Sequence, residues 1–123
     1  MIWRRCLYSS KAQLLGFLLG AVTVSLATLM PASTLGTPPG SDKLHHVLGF
    51  AFWTLLCAFG PTRRFILLAL TIVLCGGLIE LIQPYVHRRG EWDDFWADCA
   101  GVGLAALVHC LVYLIKKRGT DTA

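Results

Sequence analysis

Four apolar runs separated by short polar connections leave few folds open to this chain. A helix that crosses the hydrocarbon core of a bilayer needs about 20 mostly apolar residues, with about 17–25 the usual range. The first run extends from Ala12 to Met30 and ends at Pro31. The second, from Leu44 to Gly60, is led by His45 and His46 and stops at Gly60-Pro61. The third, from Phe65 to Gln83, carries Glu80 near its end and is stopped by Pro84. The fourth, from about Phe95 to Ile115, carries Asp98 and His109 before Lys116-Lys117-Arg118. Between the first two, residues 32–41 are rich in Ser, Thr, Gly and Pro, which forbid a continued helix.

Composition supports lipid as the solvent. Of the 123 residues, 55% are hydrophobic and 15% charged, and the mean hydropathy is +0.63. Soluble domains carry about 25% charged residues, and a domain this small buries only part of its apolar surface. The expectation is a single all-α domain over residues 1–123, a polytopic four-helix membrane bundle. Arg4, Arg5 and Lys11 ahead of the first run, with Ala32, Ser33 and Thr34 behind it, also resemble a secretory signal. The run exceeds the usual signal core of about 7–15 residues, so a retained helix is expected. Gly16 and Gly20 within it have the spacing of close helix packing. The five cysteines, Cys6, Cys57, Cys75, Cys99 and Cys110, lack CxxC spacing and read as small packing residues.

Basic residues orient the bundle. Arg4, Arg5, Lys11, Arg63, Arg64, Lys116, Lys117 and Arg118 fall on one side, and only Lys43, Arg88 and Arg89 on the other. Both termini are therefore expected in the cytoplasm. Asp42, Glu80, Glu91, Asp93, Asp94 and Asp98 all lie toward the outer side, leaving Asp121 within. The net charge of +4 reads as this topology signal, because no basic stretch interleaved with exposed aromatics suggests nucleic acid.

The ends of three helices then converge at the outer level. Asp42, Lys43 and His46 open the second helix, Glu80 and Gln83 close the third, and Arg88, Asp94 and Asp98 surround the start of the fourth. Ionisable groups in a membrane face a bundle interior or a cavity. Asp42 with His46, Glu80 with Gln83, and Asp94 with Asp98 each share a helix face. Ala97, Gly101 and Ala105, together with Gly76 and Gly77, are expected to let the third and fourth helices approach closely. An ion-pair network that fixes helix register is one reading of this group.

In order and spacing, Asp42-Lys43-x-x-His46 with Phe50, then Glu80-x-x-Gln83, then Arg88, Asp94, Asp98 and Gly101, resemble the signature of the VanZ-like integral membrane proteins. The resemblance spans residues 41–103. Asp98 stands where the family usually has Asn, and the chain contains no Asn. The resemblance implies a bacterial inner-membrane protein acting at the cell envelope, in a family with some members tied to glycopeptide (teicoplanin) resistance.

Several functions remain open on these residues. An amphiphilic or anionic envelope substrate suits Lys43 and Arg88, Arg being able to grip a phosphate bidentately, with apolar grooves for the tail and membrane lipids as partners. Glu80 and His46 are the candidate catalytic pair for acid/base work on a head group; no GxSxG nucleophile motif is present. His46, Glu80, Asp94 and Asp98 are suitable metal ligand types, but no HExxH-like spacing occurs, so neither metal nor cofactor is expected. A proton-coupled exporter would want an acid in the first helix, which has no charge after Lys11. Oligomeric state is left open. His109 is expected to be packed or bonded to a carbonyl, Trp53, Trp92 and Trp96 to pack or anchor, and His87 and Arg89 to form a solvated rim.

Overall fold

The computed structural model describes residues 9–31, 36 and 42–122. These form helices α1 (Ser10–Leu29), α2 (Asp42–Leu56), α3 (Thr62–Ile82) and α4 (Trp92–Asp121), with a 3-10 turn over Gln83–Val86. No strand occurs among the described residues. The residues that resemble a processing signal, Arg4, Arg5 and 32–34, lie outside them, as does Cys6.

Three helical stretches, Ser10–Leu29, Thr62–Val86 and Trp92–Asp121, are long and apolar enough to cross a membrane. With these the chain is a multi-pass membrane protein. The second apolar run yields a shorter helix than its sequence predicts. α2 has 15 residues, which at 1.5 Å per residue is about 22 Å, against about 30 Å for the hydrocarbon core. It stops at Leu56, ahead of Gly60, because its last turn tightens. Cys57 N donates to Thr54 O and Ala58 N to Leu55 O, both spaced three residues apart. The Thr54 hydroxyl donates to Phe50 O at 2.7 Å, a side-chain bond that bends helices. From α1, the buried Gln13 amide donates to Cys57 O at 3.0 Å and Pro61 O at 3.3 Å. The Cys57 carbonyl, past the end of α2, is thereby satisfied, while Pro61 O also accepts from Phe65 N at the start of α3. α4, in contrast, overruns its expected limits at both ends, from Trp92 to Asp121.

Consecutive helices run antiparallel, as short connections require. Gln13 near the start of α1 meets the end of α2, and the Gln83 amide near the end of α3 reaches Thr28 O near the end of α1. His46 at the start of α2 meets Asp98 in the second turn of α4. One end of the bundle thus collects every polar segment singled out above, while Arg63, Arg64 and Lys116–Arg118 lie at the other.

α2 is the central element despite its length. One face buries His46, Phe50, Trp53 and Thr54, spaced by helical turns. Three glycines seat its neighbours against it. A Cβ at Gly16 would strike the Leu56 carbonyl, and one at Gly20 the Trp53 indole. Trp53 Nε1 donates to Phe17 O at 2.9 Å across that contact. A Cβ at Gly101 would strike Val47 O. The stripe at Gly101, expected to draw α4 toward α3, therefore seats α4 on α2. At Gly76 the expectation is met: a Cβ there would lie 2.9 Å from Asp98 Oδ2 and 3.2 Å from Phe50 Cε1. Small residues fill the interfaces, and large ones such as Leu15, Leu74 and Ile115 face outward, as a lipid solvent permits. Trp53 is core, whereas Trp92 and Trp96 are exposed near the polar end. His109 stacks on Phe65 at 4.1 Å, and its Nε2 lies 3.3 Å from the Thr62 hydroxyl, so its partner is a side chain and not a carbonyl.

Candidate functional site

The polar end holds a buried cluster built from three helices. His46 (3% exposed) comes from the first turns of α2, Glu80 (4%) from the last turn of α3, and Asp94 (6%) and Asp98 (0%) from the start of α4. The ring of His46 stands nearly parallel to that of Phe50, one turn on, with centroids 6.4 Å apart. This contact fixes the imidazole between the acids. Nδ1 lies 2.6 Å from Asp98 Oδ1 and 3.9 Å from Glu80 Oε1. On the other edge, Nε2 lies 3.9 Å from Asp94 Oδ2. Gly76, one turn before Glu80, leaves the space that Asp98 occupies.

Glu80 also ties the loop before α4 to α3. Its Oε2 accepts from Glu91 N at 2.9 Å. Gly90 makes this possible, because a Cβ there would collide with Glu80 O. Two oxygens of the cluster, Glu80 Oε1 and Asp98 Oδ2, are buried without a hydrogen-bond partner, as are Gln13 Oε1 and Gln83 Oε1 elsewhere among the described residues. Buried polar atoms are normally satisfied, and each exception asks for an explanation. The charge balance is equally uneven. Three carboxylates face one imidazole, and no Lys or Arg among the described residues lies within ion-pair distance of Glu80, Asp94 or Asp98.

The remaining candidates stand around this cluster. Lys43 pairs with Asp93 at 3.2 Å on the exposed surface. Gln83 is buried, but its amide turns away to Thr28 O at 3.1 Å. Arg88 donates from Nη1 to Met30 O at 3.2 Å, pinning the loop after α3 to the end of α1. It does not enter the carboxylate cluster. Asp42 is exposed, with His46 one turn further into the bundle. Asp42, His45, His46 and Arg88 instead line a cavity of about 140 Å³ between α1 and α2, walled by Val24, Ala27, Thr28, Gly49 and Phe50. His45, expected to be only a neighbour, thus contributes to this cavity. His87 and Arg89 are exposed, as expected of a rim; His87 has φ +58°, where the 3-10 turn ends.

Three buried polar residues escaped the sequence reading, Gln13, Thr28 and Thr54. Gln13 could have been found, since it lies one turn before Gly16 and two before Gly20 on one face. Thr28 and Thr54 could not, because hydroxyls bonded to the preceding turn are common in any helix; that of Thr28 donates to Val24 O at 2.8 Å and that of Thr54 to Phe50 O.

Helices crossing the membrane, with a buried ionisable cluster at one end, define a multi-pass helical membrane protein. No family model matches the chain, and no solved structure matches it significantly. Among curated proteins it is similar to the probable peptidoglycan glycosyltransferase FtsW of Alcanivorax borkumensis, at 42% identity over 59 residues. That likeness covers 46% of this chain and 15% of the relative, so the chain spans a small part of that protein's length.

Proposed function

We propose that the chain is a VanZ-like protein of the bacterial inner membrane that binds an anionic amphiphile at the outer membrane face. In this reading α2 is a fourth, short span, both termini are cytoplasmic, and the polar end faces outward. The distribution of Lys and Arg supports the orientation. A short span is accommodated by local thinning and by flanking polar residues that reach the interface. The relative named for peptidoglycan synthesis supports an envelope role, and the motif from Asp42 to Gly101 supports the family.

The observation that carries the binding reading is the α1–α2 cavity. Its walls at Val24, Ala27 and Phe50 are apolar, and its polar lining holds Arg88, His45 and His46 together with one carboxylate, Asp42. Arg88 uses one guanidinium nitrogen on Met30 O, and a guanidinium has five N–H donors to offer. A phosphate head group at Arg88 with an apolar tail along α1 satisfies both parts of this lining. Native mass spectrometry of the detergent-purified protein with equimolar phosphatidylglycerol and phosphatidylcholine tests it. The wild type should retain the anionic lipid in preference, and Arg88→Gln should lose that preference while keeping its helical content. Equal retention of the two lipids by the wild type would remove the reading.

Acid/base chemistry on a bound head group is a second reading, favoured by one geometry. Asp98 orients His46 through Nδ1 at 2.6 Å, the arrangement by which a carboxylate fixes the tautomer of a proton-transferring imidazole.

A further inference from the structure

The cluster that Arg88 does not enter has an unbalanced charge of its own. Burying an unpaired ion is costly, and proteins escape the cost by pairing, protonation or metal coordination. Here the basic side chains of the polar end stand away from the cluster, Lys43 on Asp93, Arg88 on Met30 O and Arg89 on the exposed rim. Each of His46, Glu80 and Asp98 offers one ligand atom, and the three atoms lie within 4.8 Å of one another. Glu80 Oε1 has no hydrogen-bond partner, is buried, and lies 3.9 Å from His46 Nδ1.

We propose that His46 Nδ1, Glu80 Oε1 and Asp98 Oδ1 form a binding site for a divalent first-row transition-metal ion such as Zn2+. Ligands about 2.0–2.2 Å from such an ion in a tetrahedral site stand about 3.3 Å apart. Seating the ion separates Nδ1 from Asp98 Oδ1 by less than about 1 Å and draws Glu80 Oε1 about half an ångström toward Nδ1, with its distance to the Asp98 ligand atom closing from a value within 4.8 Å. The ion takes the place of the hydrogen now between His46 and Asp98. Its two positive charges balance the two carboxylates it touches. An imidazole ligand favours Zn2+ and its neighbours over Mg2+ and Ca2+. Asp94 then has a defined part. It faces the opposite ring nitrogen, Nε2, at 3.9 Å; a shift of the ring onto the ion that closes this gap would let Asp94 accept the Nε2 N–H and orient the ligating histidine. Three protein ligands leave a further position for water or an anion, as in catalytic zinc sites. Sequence spacing argued against a metal because no short motif is present, but spacing is silent on ligands delivered by three separate helices.

This inference does not rest on lipid binding. Its test uses the purified full chain in detergent, stripped with a chelator and titrated with Zn2+ by calorimetry and with Co2+ by visible absorption. One Zn2+ per chain should bind, and Co2+ should develop the d–d bands of a site with nitrogen and oxygen ligands. Glu80→Gln should abolish stoichiometric uptake, and Asp94→Asn should weaken it about 10–100-fold. Asp93→Asn, at the exposed ion pair, should leave it unchanged. Circular dichroism reports whether a variant has kept its helices, and the wild-type Co2+ spectrum decides the matter without any variant. Wild-type protein that takes up no stoichiometric Zn2+ and gives only the spectrum of aqueous Co2+ overturns the proposal. The lipid preference at Arg88 is read separately, so either idea can fail alone.

Discussion

Asp98 is the most enclosed of the acids, with no exposed surface and the shortest contact of the cluster, 2.6 Å to His46. Its Oδ2 presses against Gly76, where even a methyl group would lie 2.9 Å away. Truncation to Ala leaves His46 without its nearest partner, and removing one member of a buried pair costs about 3–5 kcal/mol. Asp98→Ala should therefore lower stability in detergent by about 3 kcal/mol. Asp98→Asn should cost clearly less, since the amide oxygen still accepts from the imidazole. Equal losses for the two, measured by thermal unfolding, would mean that the contact with His46 contributes nothing. Glu80 behaves differently, because Oε2 holds Glu91 N while Oε1 is unused in pairing. Glu80→Gln keeps an acceptor for Glu91 N, whereas Glu80→Leu does not. The Gln variant should reach the membrane at wild-type abundance and the Leu variant at reduced abundance, as read by quantitative immunoblotting. Matching abundance for both would show that the loop tie to α3 is dispensable. The sequence places Asp42, Lys43, His46, Glu80, Gln83, Arg88, Asp94 and Asp98 at one level, with Arg88 expected to join His46, Glu80 and Asp94 in one cluster, because intramembrane charges seek a common interior; the buried cluster takes Asp98 in place of Arg88. The engagement of Arg88 with Met30 O and the turning of Gln83 toward Thr28 O were not legible, since both depend on where the end of α1 lies.

α2 shows how an element can be central and yet short. Its boundary was misjudged by four residues because hydropathy continues through Cys57, Ala58 and Phe59, while the hydrogen bonding has already left the helical register at Leu56. A run of apolar residues fixes what can be buried; the turn before Pro61 decides where the helix stops. The close packing of α2 against its neighbours rests on backbone proximity at Gly16 and Gly101. Gly101→Leu would drive a side chain into Val47 O and Ala51 N, and overpacking of this kind costs about 1–3 kcal/mol. Gly103 is the control on the same helix, because a methyl group at that position would meet nothing within 4 Å. Gly103→Ala should be neutral or stabilising by up to about 1 kcal/mol, since Ala is the better helix former. Denaturant titration of both variants, followed by helicity, checks the contrast. A benign Gly101→Leu would mean that α4 does not sit on α2 as described. The small-residue stripe was visible in the sequence, but which helix it faced was not, because α2 and α3 offered equally apolar partners.

For the whole molecule, three helices bring their polar ends to one level, with a buried His–carboxylate cluster beside a cavity that holds Arg88. The all-helical class was legible from the apolar runs, and each of the four runs corresponds to one of the α-helices among the described residues. The cluster's depth was legible less well: Glu80 is the acid set among apolar residues, yet Asp98 is the more enclosed, because the close approach expected at Gly76 lets the Asp98 carboxylate fill the space beside that glycine. Recognition of an envelope amphiphile requires this end to face outward, and a labelling experiment on intact cells addresses that requirement most directly. Gly90 is a poor reporter, since a side chain there collides with Glu80 O; Arg89, exposed beside it, is the better position. In versions of the chain carrying a single cysteine, Arg89→Cys should react with a membrane-impermeant maleimide applied from the periplasmic side, and Thr62→Cys should not. Labelling at Thr62→Cys with protection at Arg89→Cys would place the polar end in the cytoplasm and contradict the account.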